Sequence, residues 1–213
     1  TDFVAKNSEF QEMVGSFAQN ALSVNDIEGL AATEIEGVTV ADTLTSKIAT
    51  IGENLSLRRM NKLSGFYVHS YVHNAVKVGM GKIGVVVALS AENYDFAKQV
   101  AMHIAAANPQ SLSERDLDPS IVERERKVLS EQARQTGKTE DLVEKMIGGR
   151  MKKFLAEVTL LGQAFVVNPD KTVKQASEEA GVEITDFIRY EVGEGIEKKE
   201  EDFAAEVARA ALG

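Results

Sequence analysis

The sequence predicts an α+β protein: two small subdomains whose antiparallel sheets are flanked by helices, with a projecting antiparallel helical hairpin and a terminal helix. Three observations carry that prediction. Apolar residues recur at helical spacing behind cap signals along most of the chain. Four β-branched or apolar runs, over 66–78, 83–89, 158–167 and 184–192, are bounded by turn residues. Between them, 118–156 carries two amphipathic stretches joined by a tight Thr136-Gly137 turn.

The first helix follows Ser8-Glu9-Phe10-Gln11, a capping-box pattern in which Ser8 and Gln11 would satisfy the first free N–H groups. Phe10, Met13, Val14, Phe17, Ala18 and Ala21 then mark one buried face. Phe3 lies outside that stripe, either as a staple or core residue at the helix entrance or as a wedge protruding towards a partner protein. Asn25-Asp26-Ile27-Glu28 is a second capping box and opens a short helix. Val40, Leu44, Ile48 and Ile51 space a third, with Gly52 just past its end. Alternation over 55–63 predicts a strand that sends Arg58 and Arg59 to opposite faces, and Ser64-Gly65 is a turn and subdomain boundary.

A strand is expected over 66–78, a tight turn at Gly79-Met80-Gly81, and a strand buried on both faces over 83–89. The helix over 94–107 is apolar nearly all round and should lie in the core, ending at Asn108-Pro109. Asp118 caps the outgoing arm of the hairpin with Pro119 at its first position, and Thr139 caps the returning arm. Ile121, Val128 and Leu129 face Val143, Met146, Ile147 and Phe154 across a thin seam, while Glu123-Arg124-Glu125-Arg126-Lys127 faces water. A strand follows over 158–167. Thr172-Val173-Lys174-Gln175 then opens a helix ending at Gly181, and a last strand occupies 184–192. Beyond Gly193 and Gly195, a terminal helix carries Phe203, Val207, Ala210 and Ala211 on one side. The domains expected are therefore 1–65, 66–192 with the hairpin 118–156 inserted, and 193–213.

Composition narrows the function. A net charge of −9 argues against a nucleic-acid partner, because phosphate binding needs clustered Lys and Arg. There is no Cys, so disulfides, thiolate chemistry and Cys-ligated zinc are excluded, which fits a cytoplasmic protein. No apolar run reaches membrane-spanning length, so no membrane partner is expected. His69 and His73 have zinc-like spacing, but on a strand they would lie about 13 Å apart, so no metal is expected. His103 is expected to be a satisfied core histidine. Gly79-Met80-Gly81-Lys82-Ile83-Gly84 lacks the phosphate-loop pattern and precedes a strand, so it reads as a hairpin turn. With no nucleophile elbow, and carboxylates confined to charged helix faces, no cofactor and no catalytic site are expected. The profile is that of an interaction protein.

Thr1-Asp2-Phe3-Val4-Ala5-Lys6 resembles the TDFVA signature of the elongation factor Ts family. Further blocks agree in order: Ile51-Gly52-Glu53-Asn54 with Arg58-Arg59, Ser70-Tyr71-Val72-His73, and Ala101-Met102-His103-Ile104-Ala105-Ala106. The final block runs from Gly149-Arg150-Met151-Lys152-Lys153-Phe154 through Gly162-Gln163-Ala164-Phe165-Val166 to Phe187-Ile188-Arg189-Tyr190-Glu191-Val192-Gly193-Glu194-Gly195-Ile196-Glu197. The resemblance implies a guanine-nucleotide exchange factor, not an enzyme, acting on the GTPase elongation factor Tu. In that family the Asp-Phe pair pushes its ring between helices of the nucleotide domain and disturbs the magnesium and phosphate sites. Carried over, the partner-binding residues are Asp2, Phe3 and Val4, Ile51 and Gly52, and His73, with Phe203 and Val207 on a terminal helix that clasps the same domain. Self-association through the hairpin is a further expectation. The family begins with a helical module and a strand leading into the TDFVA block. Neither precedes Thr1, and there is no initiator Met, so the resemblance implies a truncated or cleaved form with an incomplete first sheet. Asn74 stands where the family often has Gly.

Overall fold

The structure, a computed structural model, describes residues 2–135 and 137–196. It is a mixed helix and strand fold with antiparallel sheets flanked by helices. The chain divides into two units, Thr1–Ser64 and Gly65 onwards.

In the first unit, α1 (Asp2–Ala5) leads into α2 (Ser8–Ala21), followed by α3 (Ile27–Ala32). The cap of α2 is Asn7, whose side chain accepts from the Phe10 N–H at 3.0 Å. Ser8 is already inside the helix, and the expected Ser8–Gln11 box does not form, because the Gln11 amide instead donates to the Ala5 carbonyl at 2.9 Å. The cap of α3 is likewise Asp26 rather than Asn25, accepting from the Gly29 N–H at 2.7 Å. Next comes a small hairpin of β1 (Glu34–Ile35) and β2 (Val38–Thr39), which the sequence did not announce. Glu36 and Gly37 turn it with φ of 54° and 83°, the pair of positive angles that a two-residue turn of matching twist requires. Thr39 then caps α4 (Val40–Ile51), accepting from the Asp42 N–H.

Met13, Phe17, Leu30 and Val40 form the core of this unit. The strand expected over 55–63 is not present as a strand. Its alternation holds only over 55–58, where Leu55 and Leu57 pack on that core while Ser56 and Arg58 are exposed. Arg59 is exposed as well, so the two arginines are not divided between core and solvent.

The second unit is built on a three-stranded antiparallel sheet in the order β3 (Tyr67–His73), β4 (Ile83–Leu89), β7 (Ile184–Glu191). β3 is shorter than the 66–78 expected. Asn74 ends it with φ of 51°, a left-handed conformation that Asn and Gly adopt most easily, which accounts for that residue pair at this position. α5 (Tyr94–Ala107) covers one face, burying Phe96, Ala97, Val100, Ala101 and Ile104 against Val85, Val87 and Leu89. Its outer side leaves Tyr94 and Met102 exposed, so it is buried on one side rather than all round.

α6 (Pro119–Arg134) and α7 (Glu140–Val158) make the antiparallel hairpin, with Asp118 capping through the Ser120 N–H at 2.8 Å. The hairpin has its own core of Leu129, Ala133, Val143, Ile147 and Met151. Val128, expected in the seam, is exposed, and Ala133 takes the inward place. Thr139 begins α7 without a side-chain cap bond.

The strand expected over 158–167 is mostly replaced. α7 continues to Val158, a 3₁₀ turn follows at Leu160–Gly162, and only β5 (Ala164–Phe165) is extended, paired with β6 (Asn168–Thr172). The apolar run is buried at Leu160 and Phe165 because the turn packs there, not because of a pleat. Thr172 and Gln175 form the full reciprocal box at the start of α8 (Val173–Ala180), and Gly181 closes it with φ of 68°. Residues 197–213, including Phe203, Val207 and the expected terminal helix, lie outside the described residues.

Candidate protein-docking site

Phe3 and Val4 sit on α1 and part ways. Val4 is 4% exposed and anchors the turn, while Phe3 is 84% exposed. Successive helix positions lie about 100° apart, so burying one neighbour turns the other outward. Phe3 does not belong to the cluster of Met13, Phe17, Leu30 and Val40. The end of α1 is tied into the start of α2, since the Asn7 N–H donates to the Val4 carbonyl at 2.9 Å and the Lys6 N–H to Phe3 at 3.2 Å. Asp2 belongs to the same turn.

Ile51 and Gly52 lie in the same unit as Phe3, at the end of α4. Ile51 is half-buried, and Gly52 is exposed with φ of 79°, its N–H returning to the Ile48 carbonyl at 2.9 Å. The left-handed turn is the one glycine makes without a Cβ clash, and it closes the helix there. Lys47, one turn earlier, reaches Glu9 of α2 at 2.6 Å. That contact braces α4 against α2, and it holds the Glu9 carboxyl below its ordinary range. A carboxyl kept ionised in this way is no general acid at neutral pH. It lines an open cleft of about 580 Å³ together with Met13, Phe17, Ile35, Val38 and Lys47.

His73 belongs to the second unit, exposed at the end of β3. The Tyr71 hydroxyl lies 2.9 Å from its Nδ1, and the two rings are 6.0 Å apart. That contact fixes the orientation of the imidazole, whichever of the two groups donates. The sequence gives Tyr71 no role beyond its block, although the period-2 spacing of strand residues places it on the same face as His73. His69 turns its ring edge to Tyr94, with centroids 5.2 Å apart.

His103 is 1% exposed. Its Nδ1 accepts the Val166 N–H at 3.1 Å, so Nε2 carries the proton and donates to Gln163 Oε1 at 2.9 Å. Burial lowers its pKa, and the bond to Gln163 partly offsets this. Gln163 passes the network on, its amide donating to the Glu157 carbonyl at 2.8 Å. This is a polar joint inside the core.

Among the described residues no three His, Cys, Asp or Glu side chains gather as a metal site, and no helix is long and apolar enough to cross a membrane. What these residues offer is, in the first unit, a bare aromatic ring and a helix end, and in the second an exposed imidazole, each held by local bonds.

A sequence profile of the family described as "Elongation factor TS" matches residues 1–194. The whole chain aligns with curated proteins named elongation factor Ts. It is 68% identical to that of Dinoroseobacter shibae and 66% identical to that of Ruegeria sp. (strain TM1040), spanning 73% of each relative. The Paracoccus denitrificans relative is 61% identical over 217 aligned residues, and 73% of its length is covered.

Proposed function

The chain belongs to the elongation factor Ts family, a family of translation elongation factors, and on that premise we propose that it is the guanine-nucleotide exchange factor of elongation factor Tu, with Phe3 as its wedge. The observation that supports this best is the 84% exposure of Phe3 on a turn anchored by Val4. A large apolar ring kept in water next to a buried anchor is poised to gain burial only in a complex. Inserted between helices of the GTPase's nucleotide domain, it would disturb the magnesium and phosphate sites and release GDP. Asp2, Ile51 and Gly52 in the same unit, and His73 in the second unit, are further contact points for the GTPase.

The chain makes and breaks no bond. It works by linkage: a partner that binds nucleotide-free GTPase better than the GDP form lowers GDP affinity by the same factor. The place of action is the cytoplasm, where translation runs. The test is release of a fluorescent GDP analogue from bacterial elongation factor Tu. Release that is unchanged by added protein rejects the proposal.

A second function is favoured by one observation, the separate core of the α6–α7 hairpin. An assembly arm that self-associates would need such an independent seam. It requires the hairpin, not Phe3, to carry binding, and a hairpin deletion that abolishes association would support it.

A further inference from the structure

The connection between β3 and β4 is longer than strand reversal needs. Residues 74–82 separate His73 from Ile83, whereas two residues close the tightest hairpins. The additional chain is ordered by its own bonds. Lys77 and Met80 form a bridge. The Val76 N–H donates to the Met80 carbonyl at 2.9 Å, Met80 to Lys77 at 3.0 Å, and Lys82 to His73 at 3.1 Å. Gly81 passes so close to β3 that a Cβ there would stand 2.5 Å from Val72 Cγ1 and 2.8 Å from the His73 carbonyl oxygen.

This ordered tip holds two valines in water, Val76 at 70% and Val78 at 98% exposure. Exposed Lys77 lies between them in sequence and exposed Lys82 follows, and no Asp or Glu occurs within 74–82, on a chain whose net charge is −9. The tip is thus an apolar point whose own nine residues carry two lysines and no carboxylate, with Glu191 of β7 opposite Ile83 at its base.

We propose that the β3–β4 tip is a docking element for the same GTPase, seating Val76 and Val78 in an apolar hollow rimmed by carboxylates. The proposal rests on the exchange-factor function above. Two features favour a protein over a nucleic acid. Phosphate contacts call for clustered Lys and Arg, whereas here two lysines accompany two valines left 70% and 98% exposed. The tip also springs from His73, whose carbonyl accepts the Lys82 N–H, so a partner reaching His73 meets the tip beside it. The lysines would steer and orient, the valines would hold.

The experiment is fluorescent GDP release from bacterial elongation factor Tu, measured against the concentration of this chain. Val76→Ser with Val78→Ser should raise the half-saturating concentration about tenfold or more while leaving the maximal rate unchanged, since only docking area is lost. Lys77→Glu with Lys82→Glu should do the same, with a defect that shrinks as salt rises. Phe3→Ala provides the opposite split, a lower maximal rate. Melting temperatures of the tip variants should match the wild type, because these side chains are exposed. Unchanged half-saturation in both tip variants overturns the docking role and leaves the wedge standing. A wild-type chain that never accelerates release overturns both. Loss of binding to a ribosomal RNA fragment, with exchange intact, assigns the tip to nucleic acid and overturns it as well.

Discussion

Phe3 and Val4 are adjacent in sequence and opposite in environment, 84% and 4% exposed on a single helical turn. The turn is bonded into the start of α2, so the ring is presented by a fixed backbone and not by a loose end.

Phe3→Ala should therefore separate exchange from folding. Loss of an exposed ring should change stability by no more than about 0.5 kcal/mol. Loss of a central aromatic contact costs about 2 kcal/mol or more, roughly a thirtyfold fall in exchange. Phe17→Ala, at a position 6% exposed, should do the reverse and destabilise by about 3–5 kcal/mol. Melting curves and GDP-release rates on the two variants decide it. A large stability loss for Phe3→Ala with exchange intact would remove the wedge.

The His103 network predicts an acid-sensitive step in stability. Burial holds the folded pKa below the unfolded value of 6.5. The unfolded chain then binds the proton first. The stabilisation is complete above 6.5 and is lost as pH falls through the lower folded value. Protonation at Nδ1 would also end the bond from the Val166 N–H. Urea unfolding between about pH 7.5 and 5.5 should show this limb, flattened in His103→Gln. An equal slope in the variant would assign the limb to other groups.

Gln163→Leu should cost about 1–3 kcal/mol, because it leaves the buried His103 Nε2–H and the Glu157 carbonyl without their partner. Chemical denaturation measures it. A change below about 0.5 kcal/mol would mean that water or a relaxed backbone replaces both bonds.

Two glycines of the hairpin region should behave oppositely. Gly81→Ala would drive a Cβ into the Val72 side chain and the His73 carbonyl, a clash of the overpacking kind worth about 1–3 kcal/mol. Nothing lies within 4 Å of a Cβ on Gly84, so Gly84→Ala should be neutral or slightly stabilising. Paired thermal melts test both, and equal effects would show that the tip moves aside freely.

Replacing 126–141 with a short Gly linker should remove Leu129 and Ala133 from the hairpin seam and leave the sheet core intact, because the two clusters share no residues. The shortened protein should keep one cooperative melt and still accelerate GDP release. Global unfolding would mean that the hairpin stabilises the sheet unit.

The sequence alone determined what depends on a few consecutive residues. The Thr172–Gln175 box, the Asp118-Pro119 start of α6 and the glycine ends of α4 and α8 each bind their own backbone, and they form as expected. The apolar run of β4 was equally legible, since a strand buried between two neighbours leaves few polar positions. Shifts of one residue, from Ser8 to Asn7 and from Asn25 to Asp26, arose because adjacent polar residues can both cap and the chain's approach selects between them. Tertiary structure decided the rest. Alternation at 55–63 matched a strand, but a strand also needs a ladder, and here Leu55 and Leu57 pack on the cluster of Met13, Phe17, Leu30 and Val40 without one. The run over 158–167 has an apolar content that fits strand or turn, and the burial of Leu160 beside α8 selected the turn. The exposure of Phe3 was settled in the same way. Its own residues allowed it to point inward or outward, and the packing of Val4 turned it to solvent. Hydrogen bonds within a turn are local and can be read along the chain, whereas burial belongs to pairs of distant surfaces and exists only once they meet.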